Sequence, residues 1–137
     1  GGGSNHRFGL YDAVMIKDNH IKSAGSIFRA VEKVREALGN KNKIEVETQN
    51  LDEVQEALDQ QVDIIMLDNM AIDMIRDAVK LIDGRAKVEI SGGVNLESLN
   101  EISKTGADFV SVGALTHSAP AVDISMNIIA SLGEKDK

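Results

Sequence analysis

Cysteine and tryptophan are absent from this chain of 137 residues, proline occurs once, and aromatic residues make up only 3%. Without cysteine there is no disulfide and no thiol chemistry, a usage that fits a cytoplasmic protein. Positive charge is also scarce: 15 Lys and Arg stand against 22 Asp and Glu, for a net charge of −7. That balance and the missing aromatics argue against nucleic acid as a partner, because its recognition needs cations for phosphate and rings for base stacking. The same charge disfavours an anionic membrane surface. No apolar run approaches the roughly 20 residues of a membrane helix, and no secretory leader pattern opens the sequence. By length, residues 1–137 form one domain with a core of modest size.

What is present is concentrated at the start. The tract Gly1 to His20, GGGSNHRFGLYDAVMIKDNH, sets His6, Arg7, Lys17 and His20 around a short apolar run. Four potentially cationic side chains in an acidic chain suit a small, multiply anionic molecule. The leading Gly-Gly-Gly-Ser reads either as a flexible linker or as a native glycine-rich approach to His6 and Arg7.

Short β-branched runs alternate with longer amphipathic ones. Strands are expected at Ala13–Lys17, Lys43–Glu47, Asp63–Leu67, Lys87–Ile90 and Asp108–Val112. Helices are expected from Ile27, Ala30, Val31, Val34 and Leu38, closed by Gly39-Asn40, and from Leu51, Val54 and Leu58 behind an Asn50–Glu53 capping box. A third carries Ile72, Ile75, Val79 and Ile82. A fourth, capped by Asn95, carries Leu96, Leu99 and Ile102. A last helix after Pro120 would carry Ile124, Ile128 and Leu132, followed by a solvated GEKDK tail. Regular alternation predicts an α/β fold with a parallel sheet and right-handed crossovers. Five such units do not close an eight-stranded barrel of about 250 residues. The sheet is therefore either open and doubly wound, or the C-terminal part of an incomplete TIM-like α/β barrel.

Either architecture binds ligands at the C-terminal ends of its strands. Those ends carry Lys17-Asp18-Asn19-His20, Glu47, Asp68-Asn69, Ser91-Gly92-Gly93 and Gly113-Ala114-Leu115-Thr116-His117. Paired glycines let backbone N–H groups approach an anion, so Ser91, Gly92 and Gly93 with Gly113 and Ala114 suit phosphate, with His117 either capping the second loop or simply lying on the surface. Glu47 and Asp68, on neighbouring strand tips, suit Mg²⁺ or developing positive charge, or an ion pair with Lys17. Lys17 suits anion clamping better than Schiff-base chemistry, and His20 a structural role. Glu45 has the same parity as Glu47 and so faces the interior, where it needs a partner such as Lys43 or Lys87.

The strings NHRFGLYDAVMIKDNHI, KIEVET, IIMLDNM, EISGGV and VSVGALTHSAPAVDISM resemble the C-terminal catalytic domain of the quinolinate phosphoribosyltransferase family, from Gly1 to about Ile129. The resemblance implies a seven-stranded, incompletely closed α/β barrel, preceded by an N-terminal domain and assembled as a dimer. It implies transfer of phosphoribose from phosphoribosyl pyrophosphate to quinolinate with Mg²⁺, releasing pyrophosphate and CO₂. By position, His6, Arg7 and Lys17 would hold quinolinate, and Glu47 and Asp68 would stand near ribose and Mg²⁺. Ser91, Gly92 and Gly93, with Gly113, Ala114 and His117, would hold phosphate. Ile90 before SGG and Thr48 after EVE depart mildly from the family pattern. The family's upstream TRKT-like motif, first barrel strands and N-terminal domain are not in this sequence, so the chain is expected to carry about half the site and to be inactive or nearly so alone; the alternatives are a half-barrel that binds phosphate or dicarboxylate without turnover and a paralogous phosphoribosyltransferase with a different base.

Overall fold

Each strand run is built to bury one side against helices and to offer the other to a different environment. The computed structural model describes residues 2, 3, 5–7, 9 and 12–128. In chain order it contains β1 (Ala13–Ile16), α1 (Asp18–Ala24), α2 (Ile27–Leu38), β2 (Lys43–Thr48), α3 (Leu51–Asp59), β3 (Ile64–Asp68), α4 (Ile72–Ile82), β4 (Lys87–Ser91), α5 (Leu96–Ile102), β5 (Phe109–Val110) and α6 (Ala114–His117). All five strands are parallel and adjacent in chain order, β1-β2-β3-β4-β5. A doubly wound sheet changes direction partway, whereas right-handed crossovers in unbroken order put every helix on one face. The barrel-type reading is thus the one that holds.

Strand alternation defines the two faces. Ile16, Ile44, Val46, Ile65, Leu67, Val88 and Ile90 point to the helical side and form one buried cluster with Ile27, Val31, Val54, Leu58, Ile75 and Ile82, and Thr48 is buried on the same side. Thr48 is tolerated there because its hydroxyl donates to the Met66 carbonyl at 2.9 Å. The opposite face, the inside of a barrel wall, carries Met15, Glu45, Glu47, Met66, Asp68, Glu89 and Ser91.

Local chemistry fixes the boundaries. Asn50 Oδ1 accepts the Glu53 N–H at 2.9 Å and Glu53 Oε2 accepts the Gln49 N–H at 2.7 Å, closing the expected box one residue early. Asn95 and Ser98 cap α5 reciprocally. Two aspartates repeat a device that ties each new strand to the one before. Asp63 Oδ2 accepts the Ile44 N–H at 2.8 Å, and Asp108 Oδ2 accepts the Val88 N–H at 2.9 Å.

The structure corrects several expectations. Leu38 is exposed, because residues 36–39 at the end of α2 all face solvent. Leu96 is 89% exposed. A spacing of three drifts about 60° per step around a helix, which carries Leu96 off the face that Leu99 and Ile102 share. β5 is shorter than expected, an edge strand paired on one side only, although Asp108 and Ser111 extend its bonding to β4. No helix follows Pro120 through residue 128, and Ile124 and Ile128 are exposed. Apolar residues there fall at 122, 124, 126 and 128, a period of two that one helix face does not collect. Leu132 and the GEKDK tail lie outside the described residues. Helix α1 was not anticipated, since Ile21 and Ala24 alone give little helical periodicity.

Candidate active site at the strand tips

Four consecutive strands deliver polar side chains to one rim. Lys17 follows β1, Glu47 is the penultimate residue of β2, Asp68 ends β3 and Ser91 ends β4, with Asp68 and Ser91 directly paired. Lys17 Nζ lies 4.0 Å from Glu47 Oε2. Burial pushes the Glu47 carboxyl above its usual range, the neighbouring Asp68 charge pushes it further, and Lys17 only partly pulls it back. Two acids facing one space, one of them raised by the other, form an all-oxygen donor pair that fits a hard divalent cation such as Mg²⁺.

Gly92 and Gly93 follow Ser91 and lead to Asn95 at the head of α5. Gly92 has φ +87°, and a β-carbon there would fall 2.3 Å from Asn69 Oδ1. The second loop passes from Gly113 and Ala114 into the single turn of α6, and the His117 ring lies over Gly113, where a β-carbon would stand 3.1 Å from Nε2. His117 Nδ1 is 2.7 Å from Ser118 Oγ. This second loop is fully exposed beyond the edge strand.

His6 and Arg7 are placed lower on the same face. His6 Nε2 lies 3.5 Å from Glu45 Oε2 and 3.2 Å from Glu89 Oε1. Arg7 reaches the Ala13 carbonyl at 3.5 Å, at the opening of β1. The structure therefore brings Lys17, Glu47, Asp68 and the Ser91–Gly92–Gly93 loop together, and leaves His6 and Arg7 one pleat or more below them. The partner of Glu45 is His6, not Lys43 or Lys87: Lys87 is taken by Asp108 at 2.6 Å. Burial raises the Glu45 carboxyl to about 7, with the Glu89 charge adding to it and His6 and Arg7 opposing. The three groups offer ligand atoms within 4.8 Å of one another. Glu89 also accepts a hydrogen bond from Ser111 Oγ. His20 Nδ1 accepts the Lys17 N–H at 3.0 Å and so helps to open α1.

Asn69, expected at the tip of β3 beside Asp68 but given no role there, makes contacts that join the rim together. Asn69 has φ +52°, donates from Nδ2 to Asp68 Oδ2 at 2.8 Å, and bonds the Ser91 carbonyl through its own N–H at 2.9 Å. An Asn directly after a strand, three residues before a helix, was the available signal, because Asn tolerates left-handed backbone better than most residues.

A parallel sheet wound in one direction, with a lysine, two acids and glycine loops on its strand tips, defines an α/β-barrel-type domain whose candidate site lies at the C-terminal ends of its strands. Residues 1–127 match the family model described as quinolinate phosphoribosyl transferase, C-terminal domain, and the chain belongs to that family. A probable nicotinate-nucleotide pyrophosphorylase (carboxylating) of Bacillus subtilis (strain 168) is 48% identical over 131 residues, covering 96% of this chain and 45% of the relative. The Synechocystis relative of the same description is 52% identical over 132 residues, covering 94% and 45%. The crystal structure of NadC from Streptococcus pyogenes superposes with a TM-score of 0.84 at 44% identity, over 92% of this chain and 44% of that one. This chain thus spans a little under half the length of the relatives it matches. A thiamine phosphate pyrophosphorylase from Pyrococcus furiosus, 21% identical with a TM-score of 0.62, shares the fold.

Proposed function

We propose that this chain is the catalytic-barrel part of a longer phosphoribosyltransferase that converts quinolinate and phosphoribosyl pyrophosphate to nicotinate mononucleotide, pyrophosphate and CO₂. The single observation that supports it most is the rim itself, where Lys17, Glu47, Asp68 and the Ser91–Gly93 loop meet in a member of this family. In the reaction the bond from ribose C1 to the pyrophosphate oxygen breaks, and a bond from C1 to the pyridine nitrogen forms. The carboxyl next to that nitrogen leaves as CO₂ and a proton takes its place.

The roles follow from charge. Quinolinate carries two carboxylates, so Lys17 on the rim, with Arg7 lower on the same face, supplies cations that orient it, and His6, beside Arg7 against Glu45 and Glu89, is the third group assigned to that substrate. Glu47 and Asp68 face the ribose and favour the positive charge that builds at C1 as pyrophosphate departs. The same two acids would hold Mg²⁺, which when bound screens the charge of the leaving pyrophosphate. Backbone N–H groups of Gly92, Gly93, Gly113 and Ala114 bind phosphate, with His117 beside the second loop. The proposal includes a cytoplasmic homodimer whose remaining site residues come from outside this chain, so that residues 1–137 alone turn over little or nothing. No helix among the described residues is long and apolar enough to cross a membrane.

The test is formation of nicotinate mononucleotide by the full-length protein from quinolinate, phosphoribosyl pyrophosphate and Mg²⁺. Lys17→Ala and Glu47→Ala are expected to abolish it. Normal turnover in either variant removes the assigned roles, and binding of phosphoribosyl pyrophosphate without product reduces the chain to a binding module.

A further inference from the structure

The geometry points to Asn69 as a positioning residue that joins the Asp68 carboxylate to the Ser91–Gly93 loop, so that acid and anion-binding backbone are set as one piece. The inference rests on reading the rim as a phosphoribosyl pyrophosphate site. Three contacts carry it. Asn69 Nδ2 donates to Asp68 Oδ2 at 2.8 Å, fixing the plane of that carboxylate and leaving its other oxygen for a ligand. The same amide lies against Gly92 so closely that a β-carbon there would fall 2.3 Å from Oδ1, 2.5 Å from Cγ and 2.8 Å from Nδ2. The Asn69 N–H bonds the Ser91 carbonyl at 2.9 Å, carrying the β3–β4 pairing one residue past the strand.

These contacts limit what residue 69 can be. Its φ of +52° excludes branched or bulky side chains without strain. Glycine satisfies the backbone but has no donor. Aspartate keeps the shape but puts a second negative charge beside Asp68. Asparagine meets both demands. Without the amide, Asp68 is free to rotate and the loop loses the wall it packs on. Groups that orient ligating carboxylates in this way are worth about 10–100-fold in affinity or activity.

The experiment compares the full-length protein with Asn69→Gly and Asn69→Asp. It measures binding of phosphoribosyl pyrophosphate by calorimetry across a Mg²⁺ series, then kcat and KM for both substrates. Asn69→Gly keeps the backbone conformation, and a thermal melt within a few degrees of the parent confirms folding. The expected result is an about tenfold or greater loss in affinity and in kcat/KM for phosphoribosyl pyrophosphate, with half-saturating Mg²⁺ raised and KM for quinolinate unchanged. Asn69→Asp does not rescue it. Parental Mg²⁺ dependence and binding in Asn69→Gly would overturn the assignment, as would equal losses for both substrates, the mark of a merely structural residue. Asn69-dependent binding without any turnover upholds the positioning role while removing the proposed reaction. No binding in the parent removes both.

Discussion

Asn69 rests on Gly92 at a distance no side chain at position 92 would permit: a β-carbon there would sit 2.3 Å from Asn69 Oδ1. Gly92 also holds φ +87°, where an L-residue is strained. Gly92→Ala is therefore expected to destabilise the fold by about 2–3 kcal/mol, strain and displacement together. The two causes separate in a double-mutant cycle. Removing the amide with Asn69→Gly relieves the overlap but not the φ strain, so the double variant should be less destabilised than the sum by about 1 kcal/mol. Strict additivity in urea melts would show that the two residues do not meet.

The alternation of strands and helices was legible because each uses its own period: β2, β3 and β4 alternate or run apolar, and α2, α3 and α4 show a clear stripe. What escaped has physical causes. Helix α1 has one turn of weak periodicity and is held by a cap made by His20 and by the chain turning at Gly25. The segment after Pro120 was read with a period of four from Ile124 and Ile128, although Val122 and Met126 fill in a period of two. At the rim, Lys17, Glu47, Asp68 and Ser91 could be placed by counting to the ends of strands. The pairing of His6 with Glu45 and Glu89 crosses from a segment before β1 to β2 and β4, and sequence spacing carries no information on such a contact.

Lys17 and Glu47 form a loose pair whose value is electrostatic. The lysine opposes the burial and the Asp68 charge that raise the Glu47 carboxyl. Lys17→Met is expected to move the Glu47 titration further upward, and Asp68→Asn to move it down toward the ordinary carboxylate range. Carbon-detected NMR titration of the glutamate carboxyls checks both. A Glu47 titration unchanged in Asp68→Asn would mean that the two acids do not share one space.

Asp63 and Asp108 repeat one joint, each accepting from the backbone of the strand before its own. Replacement by alanine leaves a backbone N–H without that acceptor. The expected cost is about 1–2 kcal/mol at either site, with asparagine recovering part of it because its oxygen still accepts. For Asp108 the effect depends on pH. Burial raises its carboxyl, but hydrogen bonds from Lys87 and the Val88 N–H outweigh that and hold it below the usual range. Its contribution is then present above the unfolded carboxylate value near 3.8 and lost as pH falls through the lower folded value. Urea midpoints of Asp108→Ala and the parent should converge in acid; a constant gap down to low pH would contradict this.

The Glu45 carboxyl works in the opposite direction and in a different range. Burial, reinforced by Glu89, raises it from 4.5 to about 7, so between those values the folded chain holds a proton that the unfolded chain has released. Stability therefore falls as pH rises through that window, and the loss is complete above it. Glu45→Gln keeps the shape and the contact to His6 while removing the charge that must otherwise be buried. The variant is expected to match the parent near pH 5, to lack the parent's decline, and to be more stable at pH 8 by about 2–3 kcal/mol, the worth of a shift of that size. Melts at pH 5, 6, 7 and 8 decide it. A parent whose midpoint rises over that range, or a variant with the same slope, would mean that Glu45 is ionised throughout and that His6 and Arg7 carry enough charge to keep it so.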